Sequence, residues 1–149
     1  MFSLIIPCFD ELDNLEYFKN TFIEYIKQNS KNEIVFVDNG SSDNSFEFLN
    51  VNFSNFKNVK IIKITNNIGY GNGVYQGILN SRFDYVSWIH ADLQVSLNDI
   101  LKGYKIFENH LKKNELIFVK GLRKKRSLID STFTLFMSVL VSMLFLKKN

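Results

Sequence analysis

Short uninterrupted apolar runs alternate along this chain with stretches in which apolar residues recur every third or fourth position. "SLIIP" at 3–7 is the first run, and Leu15, Phe18, Phe22 and Ile26 follow it at helical spacing. "EIVFVD" at 33–38 predicts a second strand, and "NGSSDNS" behind it supplies turn and N-cap residues for a helix through Phe46 and Leu49. "VKIIKI" at 59–64 predicts a third strand, and a Gly-rich turn then leads into a helix near 74–79. A fourth strand ends at Ile89, a helix covers about 97–107, and "ELIFVK" at 115–120 predicts a fifth strand. Continuous apolar strands are buried on both faces, so five of them alternating with four helices predict an α/β layer around a mostly parallel sheet.

The fourth run, "YVSWI", turns polar abruptly at His90, Asp92 and Gln94. In an extended chain, side chains two apart point the same way, so these three are expected on one face just past the strand. Ligands of such sheets bind beyond the carboxyl ends of the strands. The other loops at that edge carry Pro7, Phe9, Asp10 and Glu11, then Asp38, Asn39, Gly40 and Ser41, then Asn67, Gly69 and Gly71. A pocket of carboxylates, amides and glycines is expected there. Other roles stay open: Asp38 as an Asx turn or helix cap, Glu11 as an acid at a helix start, His90 as a hydrogen-bonded structural residue. "GYGNG" at 69–73 invites a dinucleotide fingerprint, but the third glycine would fall on Val74 or Gln76, and the turn follows the third strand instead of the first. Its glycines read as tight-turn and close-approach positions.

Composition narrows the picture. With 149 residues, 46% of them hydrophobic and 22% charged, the chain has the material for a real core, which excludes disorder. A net charge of +3 gives no ground for nucleic-acid binding; the one basic cluster is "KGLRKKR" at 120–126. Cys8 is the only cysteine, which excludes an intrachain disulfide and favours a reducing, cytoplasmic setting. The N-terminus has no basic region or cleavage site of a secretory signal. Residues 131–146 form 16 uncharged positions between basic flanks, expected as an apolar helix that either lies at the inner face of a membrane or packs on protein. The expected division is 1–126 for the α/β domain and 127–149 for that helix.

"SLIIPCFDELDNL", "EIVFVDNGSSDNS", "NNIGYGNGVYQGI" and "WIHADLQ" together resemble the successive motifs of family 2 glycosyltransferases with the GT-A fold. The nearest branch includes dolichol-phosphate mannose synthases and bacterial polyprenyl-phosphate or surface-polysaccharide sugar transferases. The resemblance implies a GT-A, Rossmann-like sheet and transfer of a sugar from a UDP-sugar or GDP-sugar to a lipid-phosphate or glycan acceptor, with peripheral membrane contact. It implies that the loop of Pro7, Phe9 and Glu11 surrounds base and ribose, and that Asp38 accepts hydrogen bonds from the base. The resemblance places Asn39, Gly69, His90 and Ala91 in the same expected donor site. An Asp-x-Asp motif holds Mg²⁺ or Mn²⁺ in the family; here it reads His90-Ala91-Asp92, so Asp92, with Gln94, is the expected metal position. His90 suits Mn²⁺ better than Mg²⁺, or meets ribose or phosphate instead. Arg123, in a Gly-x-Arg context, matches an arginine that reaches a phosphate. The catalytic base has no match beyond Asp130. The alternative reading is a truncated, non-catalytic nucleotide-sugar-binding remnant, or a subunit completed by another chain.

Overall fold

The computed structural model describes residues 1–115 and 117–121; Arg123, Asp130 and the apolar stretch at 131–146 lie outside the described residues. The chain divides into two units, Met1–Lys102 and Gly103–Asn149. The first carries the strands β1 (Ser3–Cys8), β2 (Glu33–Asn39), β3 (Val59–Ile64) and β4 (Val86–Trp88). Its helices are α1 (Leu12–Tyr17), α2 (Lys19–Gln28), α3 (Ser45–Phe53) and α4 (Tyr70–Leu79), and α5 (Leu97–Leu111) begins in it.

The sheet order is β3-β2-β1-β4, and each described pairing is parallel. Cys8 lies opposite Asp38 and Ile5 opposite Trp88. One face buries Ile5, Val35 and Val37, with Ile62, Ile64 and Val86 packed beside them. Helix α4 covers this face. Gly77 sits against Ile5, and Gly73 against Pro7 and Asn39. On the other face Phe36 of β2 meets Phe22 of α2 edge-on at 5.5 Å and stacks on Phe53 of α3 at 5.0 Å. All three rings are buried. Such aromatic pairs add about 0.5–1.5 kcal/mol each beyond the area they remove from water. Helices on both faces of a parallel sheet explain why β1 and β2 are apolar without alternation and buried at every position.

Three expectations need correction. No described residue of 115–120 belongs to a strand, although "ELIFVK" has the composition of one. An apolar run becomes a strand only beside a ladder partner, and here Phe118 and Val119 are exposed instead of enclosed between layers. The helix through Leu15 and Ile26 is two helices, broken at Phe18, whose φ of −93° and ψ of 6° leave the α region. The amide of Phe22 still bonds the Phe18 carbonyl, so the apolar stripe continues across the break and the 3.6-residue period does not register it. Residues 90–94, lastly, are not extended. The Leu93 amide bonds the His90 carbonyl at 3.3 Å and Leu93 adopts a φ of +49°, so the chain turns immediately after β4.

Because the strands are parallel, the loops after β1, β2, β3 and β4 emerge at one edge. The chain runs outward from β1 to β3, then returns to place β4 on the other side of β1. The reversal between β1 and β4 is where an open sheet of this kind leaves a crevice.

Candidate functional site

Asp38, the penultimate residue of β2, is fully buried, and neither of its carboxylate oxygens has a hydrogen-bond partner among the described residues. Burial pushes its carboxyl above the usual range. The Ser41 hydroxyl and amide, close by but outside hydrogen-bonding geometry, oppose that rise, as does Lys63, while Asp43 adds to it. A buried carboxylate whose nearest donors, both from Ser41, fall short of hydrogen-bonding geometry is expensive, and this one is held at the rim of a sheet. Across the ladder Cys8 is buried too, its thiol pushed up by burial and by Glu11, Asp38 and Asp43.

Asn39 points to the opposite face, as the next residue of a strand must. Its Nδ2 donates to Asn67 Oδ1 at 3.2 Å and to the Gly69 carbonyl at 3.1 Å, while its own Oδ1 is buried with no partner among the described residues. The Gly69 amide donates to the same Asn67 oxygen at 2.8 Å. Gly40 completes this junction. At a φ of +80°, a side chain there would bring Cβ within 2.7 Å of the Asn67 nitrogen, so only glycine lets the loops after β2 and β3 touch.

The loops after β1 and β2 are clasped to each other by Asp10 and Ser41, which the sequence placed at this edge, and by Ser42, Asp43 and Ser45, which it did not single out. Asp10, at a φ of +51°, accepts through Oδ1 from the Ser42 amide at 2.7 Å, the Ser42 hydroxyl at 3.2 Å and the Asp43 amide at 3.2 Å. In return the Asp10 amide donates to Ser41 Oγ, the Glu11 amide to Ser45 Oγ and the Leu12 amide to Asp43 Oδ2. Burial pushes the Asp43 carboxyl up, but hydrogen bonds from Ser45 and from the Leu12 amide outweigh it and hold the group below its usual range. We expect Asp10→Ala to cost about 1–2 kcal/mol, since it removes three accepted bonds and leaves a left-handed backbone position without its local acceptor. Asp10→Asn, which keeps an acceptor and tolerates that φ, should recover most of the loss; urea midpoints of the two variants check this.

Of the other expected residues, Pro7 is buried in β1 and Phe9 stands half exposed on the rim. Glu11 sits at the start of α1, where its carboxylate accepts from Asn14 Nδ2 at 2.5 Å. Ala91 is buried, His90 and Gln94 are exposed and Asp92 is half-buried, its Oδ1 accepting from the Gln94 amide at 3.2 Å. Asp38 near the end of β2 and Asp92 in the turn after β4 therefore belong to one edge of the sheet, with β1 between their strands. Tyr70, the first residue of α4, was also missed: its ring stacks on that of His90 with centroids 4.5 Å apart and planes 13° apart. Burial, and secondarily the Asp92 charge, raises the Tyr70 phenol above its usual value.

The β2 side of the rim thus holds acceptors enclosed at Asp38 and Asn39, and the β4 side carries an exposed imidazole and a half-buried carboxylate. Among the described residues no cluster of three ligating side chains forms, so a cation there would need further oxygens from a ligand.

Known proteins resemble this chain in sequence and in fold. A dolichyl-phosphate beta-glucosyltransferase of Dictyostelium discoideum is 28% identical over 87% of this chain and 41% of its own length. The Saccharomyces cerevisiae protein of that name is 32% identical over 67% of this chain and 32% of its own. The chain thus spans about two-fifths or less of the length of these relatives. Among solved structures, Staphylococcus aureus TarS in complex with UDP-GlcNAc superposes with a TM-score of 0.57 at 19% identity, over 85% of this chain and 36% of that one. The mannosyltransferase PcManGT of Pyrobaculum calidifontis, in complex with GDP-Man and Mn²⁺, gives 0.57 at 19% over 67% of this chain and 30% of that one. These likenesses establish the fold, a GT-A sheet flanked by helices. Residues 3–127 match the glycosyl transferase family 2, and the chain belongs to that family.

Proposed function

We propose that this chain binds a nucleoside-diphosphate sugar, UDP- or GDP-linked, and transfers the sugar to a lipid-phosphate or glycan acceptor at the inner face of a membrane. The observation that carries the reading is Asp38, an acceptor-only side chain buried at the sheet rim with both oxygens unpartnered among the described residues. Uracil and guanine each present ring N–H groups, and a carboxylate that accepts them there recovers the hydrogen bonds it lacks. Phe9 supplies an apolar surface beside the base, and Asn39 and Gly69 line the next loop. Relatives named for transfer to dolichyl phosphate support a lipid-phosphate acceptor, and a poly-beta-1,6-N-acetyl-D-glucosamine synthase, 26% identical, supports a glycan one. Residues 1–126 serve as the donor domain in this reading, with Arg123 reaching a phosphate, and 127–149 as a membrane-facing helix. Among the described residues no helix is long and apolar enough to cross a membrane.

The rim itself carries Asp10, Glu11, Asp38, Asp43 and Asp92, and an anionic diphosphate approaching them meets like charge. Mg²⁺ or Mn²⁺ bound there would offset that repulsion and the charge that builds on the departing diphosphate as the glycosidic bond breaks. The donor set fits such an ion: one Asp92 oxygen is used by the Gln94 amide, which leaves the other for a cation, and the donor's phosphates would complete the shell. What the chain itself does is bind the base at Asp38 and orient the diphosphate beside His90. A lipid phosphate is already an anionic nucleophile at neutral pH and needs no strong base.

Calorimetric titration with UDP and GDP, each with and without Mn²⁺, tests the reading. Binding of at least one nucleotide, strengthened by Mn²⁺ and weakened about ten-fold by Asp92→Asn, is the expected result. No heat from either nucleotide under any of these conditions would refute it.

A further inference from the structure

We propose that a cavity between helix α2 and the residues that follow Asp92 holds a sugar unit of a neutral glycan. The inference deepens the glycan-acceptor form of the reading above, on which it rests, by adding a second place where such an acceptor is gripped. The cavity measures about 420 Å³, within the range of small-molecule sites. One wall is a stripe along α2 and its N-cap: Phe18, Thr21, Tyr25 and Gln28 follow one another at steps of three and four residues and so share one side. The facing wall is Leu93 with the start of α5, Leu97 and Asn98. Leu93 takes a φ of +49° and its amide bonds the His90 carbonyl, so this wall is continuous with the turn that carries Asp92.

The walls decide the class of occupant. Phe18, Leu93 and Leu97 offer apolar faces, whereas the side chains of Thr21, Gln28 and Asn98 are exposed and take no hydrogen bond among the described residues. Tyr25 is only 5% exposed, and its hydroxyl has no partner among the described residues. Burial pushes that phenol up to about 12, so the hydroxyl keeps its proton and remains a donor lacking an acceptor. The described lining carries no lysine, arginine or histidine, and its one charged group is the Glu24 carboxylate. A phosphate or nucleotide would meet that carboxylate with nothing to neutralise it. An acyl chain would strand the amides and hydroxyls away from water. A sugar ring satisfies both kinds of wall: its C–H faces lie on apolar side chains, and the hydroxyls around its edge give and take hydrogen bonds. The Gln28 and Asn98 amides each supply a donor and an acceptor, and the Tyr25 proton goes to a sugar oxygen.

The experiment uses the whole chain and reads saccharide binding apart from nucleotide binding. Saturation-transfer difference NMR with cellobiose and with the β-linked dimer of N-acetylglucosamine should show transfer to the ring C–H protons of at least one, at millimolar affinity. Tyr25→Phe removes a hydroxyl that is unpaired in the free chain, so the melting temperature should hold or rise. The same variant should titrate with UDP and GDP as the parent does, yet bind the saccharide about five-fold more weakly. Gln28→Ala, at an exposed position, should weaken saccharide binding severalfold as well. No transfer to either disaccharide, or parental affinity in both variants, overturns this inference and leaves the donor-site reading standing. Saccharide binding that responds to both variants in a chain that gives no heat with UDP or GDP refutes the donor-site reading alone.

Discussion

Asp38→Asn is expected to strengthen the fold and to weaken nucleotide binding in the same molecule. Asparagine has nearly the shape of aspartate but carries no charge to bury, and Asp38 is fully buried with neither oxygen bonded among the described residues. Removing the uncompensated charge should stabilise by about 1 kcal/mol. The same change deletes a charged acceptor for the base and places an N–H₂ group against ring N–H donors. Charge-assisted hydrogen bonds contribute about 1.5–3 kcal/mol each, so nucleotide affinity should fall by roughly 10- to 100-fold. Thermal unfolding and calorimetric titration of one preparation check both halves. A variant that melts earlier and binds nucleotide normally would show that Asp38 is a structural residue.

The sign of the pH dependence follows from the same group. Because the folded-state carboxyl is raised, the folded chain holds a proton that the unfolded chain has already released. Stability contributed by Asp38 is therefore present at low pH and declines as pH rises from the ordinary carboxylate value near about 4 through the raised value. Asp43 acts in the opposite sense. Its carboxyl is lowered, so its contribution is present above the ordinary value and is lost as pH falls through the depressed one. In Asp38→Asn only the Asp43 limb should remain.

Gly77→Ala should be the most damaging single methyl group in the described core. A Cβ there would lie 2.3 Å from Ile5 Cγ2 and 3.1 Å from Ile5 Cγ1, and Ile5 is fully buried at the middle of β1. Neither side can yield cheaply, because α4 is seated on β1 and β2 through this contact. Overpacking of this kind costs about 3 kcal/mol, which lowers the melting temperature of a chain this size by roughly 10 °C. Helix α4 also carries Tyr70 and Gly73 to the rim, so donor binding should weaken along with stability. Adding Ile5→Ala removes the atoms that clash. The double variant should then be less destabilised than the sum of the two single changes, and a thermodynamic cycle measures the difference. Simple additivity would mean that the close approach does not limit the packing.

Much of this architecture is written in the residue pattern, and the parts that are not share a cause. The third strand, Val59–Ile64, coincides with its apolar run, and the first two strands each extend one residue beyond theirs. Burial on both faces makes the runs of β1 and β2 unmistakable, whereas β3 is an edge strand, partly exposed. The positions of Asp38, Asn39, His90 and Asp92 at the sheet edge were legible because each stands where an apolar run turns polar. The Asp10 clasp was not, because its partners lie 32 and 33 positions away and no periodicity links them. The Tyr70–His90 stack escaped for the same reason. The failure at 115–120 is of another kind: composition states that a segment can pair, and only a neighbour decides whether it does.

Strand β2 carries a second buried carboxylate whose situation is the reverse of the first. At its amino end Glu33 accepts from the Ser3 hydroxyl at 2.5 Å and from the Arg82 amide at 2.7 Å, while the Ser3 oxygen takes the Phe83 amide. One end of the sheet is thus internally sealed and the other chemically hungry. A ligand docking at the hungry end has no comparable vacancy to fill at the sealed one, so the rigidity it confers should fade along the strands. Amide exchange would register that gradient as slowing concentrated in the loops that follow β1, β2 and β4, with the opposite pole already quiet before anything binds.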